Sequence, residues 1–229
     1  MGRLPRTIDD GLVYHILNRG NNRADVFGDD ADRDAFLVAL ANTKDRYPFR
    51  LFGYCLMTNH FHLLMRPESG QSISRILQSL TVAHTWRYHK RHHSTGHVWQ
   101  GRFKSPVIQG NAHLLVVLRY IEANPVRAKL VAALGDYRWS SFPCHGLGHD
   151  DPLVSPFPEW DELGRTEAER RKRWRAKVGG SQKEAELMSV RGSLRSGRPL
   201  GAPEWTEQIA QRLNIDLIPR PRGRPRKEK

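Results

Sequence analysis

The chain has 229 residues, 38% of them hydrophobic, and a formal net charge of +13. That is apolar material for one core domain and an extension, not for a large multidomain machine. No apolar run approaches the roughly 20 residues of a membrane span, and no apolar stretch follows the charged first residues as a secretory signal would require. The basic segments are too polar to anchor on an anionic membrane, so the excess of Lys and Arg points to a polyanion, with nucleic acid the first expectation. Cys55 and Cys144 are expected to be free thiols of a cytosolic protein.

Residues 12–18 read as a strand that ends in the turn-rich Arg19-Gly20-Asn21-Asn22-Arg23. Asp29 or Asp30 can cap a helix in which Phe36, Leu37, Leu40 and Tyr47 recur at helical spacing until Pro48 stops it. Residues 49–57 and 60–66 are two further strands joined by Thr58-Asn59, expected as a hairpin of adjacent central strands. Residues 71–93 form a long helix with Ile73, Ile76, Leu77, Leu80 and Ala83 on one face and a basic far end. A fourth strand is expected over 103–109. A helix capped by Asn111 then runs to about Asn124, and a short one follows Pro125 over 126–131. The order βαββαβ predicts an α+β fold, a ferredoxin-like sandwich with an antiparallel sheet, two helices on one face, and an added helix to cover or flank the other.

Beyond about residue 145 the composition changes, which divides the chain into a domain over 1–145 and a basic extension over 146–229. In the extension 165–177 is a basic helical candidate, Gly179 onward reads as a Gly/Ser/Arg linker, and 205–213 as a small amphipathic helix. Arg222-Gly223-Arg224-Pro225-Arg226 resembles an AT-hook core, an extended Arg-Gly-Arg for a narrow minor groove.

The chemistry begins at His60-Phe61-His62. Residues i and i+2 of a strand share a face, so both imidazoles project together and can grip a metal while Phe61 enters the opposite layer. Tyr120 and Asn124 are four apart on one helical face. An Asn carboxamide is a neutral oxygen ligand that adds no negative charge near a phosphate, and a phenol one turn away suits attack on a phosphodiester. Packing explains a lone tyrosine equally well, and spacing alone leaves open which sheet face the histidines occupy.

The His-hydrophobe-His strand, Tyr120-Ile121-Glu122-Ala123-Asn124-Pro125-Val126-Arg127-Ala128 and Gly96-His97-Val98-Trp99-Gln100-Gly101-Arg102-Phe103 resemble the single-tyrosine HUH transposases. More closely, they are similar to the REP-associated tyrosine transposases, over about residues 10–145, and Gly197-Arg198-Pro199-Leu200-Gly201 is similar to that branch too. The resemblance implies single-strand DNA cleavage and rejoining, with Tyr120 as nucleophile and His60, His62 and Asn124 holding Mg²⁺ or Mn²⁺. Imidazoles suit Mn²⁺ better than Mg²⁺. The implied partner is single-stranded or hairpin DNA of repetitive palindromic elements, in a bacterial, nucleoid-associated setting. Arg87, Lys90, Arg91, Arg102, Lys104, Arg127, Arg222 and Arg224 are candidate DNA contacts, with Trp86, Trp99 and Phe103 for stacking. Two other readings stand beside it: a DNA-binding protein with the fold but no catalysis, and a nuclease acting by metal-activated water. Monomer and homodimer both remain open.

Overall fold

The structure is a computed structural model that describes residues 11–217. Four antiparallel strands, β1 (Val13–Arg19), β2 (Phe49–Leu56), β3 (His60–Pro67) and β4 (Val107–Ile108), lie in the order β2-β3-β1-β4. That is the sheet expected of the ferredoxin-like reading, with one correction to the hairpin: β3 is central, but β2 is an outer strand. Its open side is covered by later chain, with Ser155 N–H donating to the Leu51 carbonyl and Cys55 bridging to Ser140. Covering an edge in this way removes a template for unwanted strand pairing.

The fourth strand is shorter than expected because Pro106 has no N–H to give the ladder. Lys104 still exchanges backbone hydrogen bonds with Leu17, and His15 N–H reaches the Pro106 carbonyl, so the segment follows β1 without a continuous strand. On the other side of β4, Leu200 pairs in parallel with Ile108, so Gly197-Arg198-Pro199-Leu200-Gly201 closes this edge.

Helices α1 (Asp30–Arg46) and α2 (Ile73–His92) cover one sheet face. Asp29 caps α1 by accepting from Asp32 N–H at 3.1 Å. Arg91 at the end of α2 then binds both Asp29 and Asp32, fastening the last turn of one helix to the first of the other. The opposite face carries α3 (Ala112–Glu122), followed after Ala123 by α4 (Asn124–Arg127). Helix α3 lies so close to β2 that a Cβ on Gly53 would meet Leu118 Cδ1 at 2.2 Å, which is why only glycine fits there. Pro125 supplies no N–H for the Ile121 carbonyl, so the helical hydrogen bonding breaks at this point and resumes with Arg127 N–H to Ala123. Lys129, with φ of 59°, then ends α4 before the expected 131.

The chain beyond 145 packs against this core. Helix α5 (Glu167–Gly179), capped by Thr166, buries Trp174 completely. The expected linker from 179 is corrected: α6 (Glu184–Ser196) forms there because Leu187, Val190 and Leu194, three and four apart, present one apolar stripe. Helix α7 (Pro203–Arg212) matches the predicted amphipathic helix. Arg222, Arg224 and the rest of the AT-hook-like phrase lie outside the described residues. No helix among the described residues is long and apolar enough to cross a membrane.

Candidate active site

The two-residue period of β3 sorts its side chains into different layers. Phe61 points toward α1 and α2, its ring 4.8 Å from that of Phe36 and 5.3 Å from that of Trp99. His60 and His62 point the other way, with ring centroids 5.0 Å apart. Register brings in a third imidazole: β1 pairs Leu17 with His62 and Arg19 with His60, so His15 lies on the same face one step along. His15 Nε2 is hydrogen-bonded to His62 Nδ1 at 2.9 Å.

Helix α3 supplies the tyrosine. The Tyr120 ring stands edge-on to His62 with centroids 5.8 Å apart, and 6.0 Å from His15. Arg127 completes this corner, its guanidinium carbon 4.3 Å from the centre of the Tyr120 ring. Arg127 Nη2 also donates to the Tyr120 carbonyl and to Asn124 Oδ1, both at 2.9 Å. One cation thus ties together the phenol, the helix break and the carboxamide. Tyr120 and Asn124 are both buried.

The histidines are held neutral. Burial pulls His15 down to about 3, and burial with the nearby Arg19 charge pulls His60 down to about 4. His62 lies well below its ordinary value, first by burial and then by the positive fields of its neighbours, Arg127 and Arg19 among them. A neutral imidazole keeps a lone pair for a metal. His60 Nδ1 donates to Asn59 Oδ1 at 2.7 Å, which leaves the lone pair on its Nε2. Asn59 also donates to the Arg23 carbonyl, so it both orients His60 and fastens the turn. The Asn124 oxygen, with two lone pairs, can serve a cation while Arg127 holds it. The residues therefore fit a divalent cation. Among the described residues no group of three His, Cys, Asp or Glu is placed to hold a metal ion.

The other predicted residues are placed apart. Arg87, Lys90 and Arg91 belong to α2, across the sheet from the histidines. Arg87 donates to the Ala35 carbonyl, Lys90 sits 5.2 Å from the centre of the exposed Trp86 ring, and Arg91 is paired with the two aspartates. Trp99 is packed on Phe61. Arg102 is exposed in the loop after Trp99, which joins the end of β1 through Gln100 N–H and the Arg19 carbonyl. Lys104 follows on the same edge. Sequence reasoning missed three residues: His15, Arg19 and Glu122. Glu122 faces away from Tyr120 and is buried, accepting hydrogen bonds from Ser141, from His145 Nδ1 at 2.6 Å and from Trp174 Nε1 at 2.7 Å.

Known proteins share this architecture. The family described as "Transposase IS200 like" matches residues 10–124. A Haemophilus influenzae protein named as a REP-associated tyrosine transposase is 28% identical over 134 residues, 54% of this chain and 73% of that protein. A solved structure of a REP-associated tyrosine transposase bound to a REP hairpin aligns with a TM-score of 0.55 and 17% identity, covering 69% of this chain and 99% of that one. The structural likeness is one of fold. The sequence match spans β1 through Asn124, and with it every candidate ligand and the tyrosine, so the chain belongs to the IS200-like transposase family.

Proposed function

We propose that this protein is a metal-dependent single-strand DNA endonuclease and strand transferase that works through a 5′-phosphotyrosine intermediate on hairpin-associated DNA. The observation that carries the reading is the placement of Tyr120 beside His62 and under Arg127 within one chain. The net charge of +13 fits a nucleic-acid substrate. The hairpin bound by the structural relative makes repetitive palindromic DNA the natural candidate, and such a substrate puts the protein with the bacterial nucleoid in the cytoplasm.

In this mechanism the Tyr120 oxygen attacks the scissile phosphorus. A Tyr–phosphate bond forms as the phenol gives up its proton, the bond to the 3′-oxygen breaks, and that oxygen takes up a proton and leaves as a free 3′-hydroxyl. Arg127, fixed over the ring, offsets the negative charge that develops on the phenolic oxygen. A second 3′-hydroxyl then attacks the phosphotyrosine, rejoins the strand and frees Tyr120, with no outside energy source. His60, His62 and Asn124 would hold Mg²⁺ or Mn²⁺, which when bound polarises a nonbridging phosphate oxygen. Arg102, Lys104 and Arg19, at the histidine end of β1, are the candidates for guiding the strand into the site; Arg87, Lys90 and Arg91 would serve only DNA that wraps to the α2 face.

The test is incubation of labelled single-stranded hairpin DNA with the protein and Mn²⁺, followed by denaturing electrophoresis. A protein-linked product is expected from the native chain and none from Tyr120→Phe. An adduct in Tyr120→Phe would reassign the nucleophile, and cleavage by the native chain without any adduct would mean hydrolysis by activated water.

A further inference from the structure

We propose that His15 is a positioning residue that fixes the tautomer of His62, so that a lone pair and not a hydrogen stands at the nitrogen facing the cation site, an inference that rests on the metal site proposed above. A neutral imidazole carries its hydrogen on one nitrogen and a lone pair on the other. Because His15 Nε2 meets His62 Nδ1 at 2.9 Å, one of the two must donate. If His15 accepts, His62 holds its hydrogen at Nδ1 and presents the Nε2 lone pair outward. If His15 donates, His62 Nε2 carries the hydrogen and cannot ligate. Only the first arrangement serves a cation.

Packing alone does not account for a histidine at this position. His15 is 1% exposed, and its Nδ1 has no hydrogen-bond partner. A buried polar atom left unpaired lowers stability, whereas leucine would fill the same strand position without that penalty. The imidazole is therefore present at a cost to stability, and the hydrogen bond its ring makes is to His62 Nδ1. The chemistry of that partner is informative too. A ligating histidine usually gives its outer N–H to a carboxylate, a carbonyl or water. A carboxylate behind His62 would place negative charge beside the DNA phosphate. An imidazole orients the ring and adds none.

The experiment compares the native chain, His15→Leu and His15→Gln without DNA. Mn²⁺ affinity is read by the electron-spin signal of free Mn²⁺, folding by thermal unfolding, and the His62 tautomer by ¹⁵N ring shifts with saturating Mg²⁺. The glutamine oxygen can still accept from Nδ1–H, whereas leucine cannot. His15→Leu should weaken Mn²⁺ binding about 10- to 100-fold, His15→Gln should stay within a few-fold of native, and native His62 should carry its hydrogen at Nδ1. Native affinity in a folded His15→Leu, or equal weakening in both variants, would overturn the inference while leaving the metal site intact. A native protein that binds no Mn²⁺ would overturn the metal site and this inference with it. Should His15→Leu fail to fold, the native ring shifts decide: a hydrogen on His62 Nε2 sinks the proposal.

Discussion

The two faces of the sheet are built from the same strands and do opposite work. On the α1 and α2 face, Phe61 is locked among Phe36, Trp99 and, next to them, Phe27 and His84. On the α3 face, one residue to either side, His60 and His62 meet His15, Tyr120 and Arg127. Both faces are dry enough to hold histidines neutral, for His84 is pulled to about 4 by burial as His60 is. The difference lies in what the imidazoles face: rings on one side, and nitrogen, oxygen and a cation on the other. A rigid packed layer directly behind the reactive one is what holds small polar groups to a fixed spacing.

The contrast can be broken most severely at Phe61. Phe61→Ala should cost about 3–5 kcal/mol of stability, measured by denaturant unfolding. A variant that folds as well as the native chain would mean that this face is not the mechanical backing of the site. On the other face the expected loss is in rate. Arg127→Gln should slow single-turnover adduct formation by roughly 10- to 100-fold, read on the folded fraction because the guanidinium also holds the Tyr120 carbonyl and Asn124 Oδ1. An unchanged rate would remove Arg127 from the chemistry.

Acid provides the finest comparison. His60 and His84 have folded values near 4, below the ordinary 6.5, so the unfolded chain takes up protons first as pH falls. Stability is complete above about pH 7.5 and declines as pH drops through 6.5 toward 4, with each such histidine losing about 1 kcal/mol by pH 6. Replacing His84 with phenylalanine should flatten part of that decline in a melting-temperature titration and leave adduct formation at neutral pH alone. A decline that kept its full slope would place the titrating groups elsewhere.

The strand and helix order was legible because it is written in local periodicity: alternation over β3, helical spacing over α2, punctuation at Pro48 and Pro125. So was the pairing of His60 with His62, which needs only the two-residue repeat. His15 was not. Its role depends on the register between β1 and β3, strands more than forty residues apart in sequence, and no local pattern encodes that register. Arg19 was missed for the same reason. Glu122 was hidden differently: a carboxylate beside Tyr120 reads as solvent-facing until Trp174 and His145 arrive from the far end of the chain. The outer position of β2 also depends on topology, and the shortened β4 on a single proline, Pro106.

The Glu122 junction has a consequence for how this chain can be divided. The family match ends at Asn124, yet the carboxylate two residues earlier takes its hydrogen bonds from residues 141, 145 and 174. Cutting the chain after the matched segment would strip Glu122 of all three donors and of the side chains that bury it, on the helix that carries the tyrosine. The evolutionary unit and the folding unit therefore have different borders. Trp174 acts as a keystone set from outside the arch, and any graft or minimal version of this domain must carry it along.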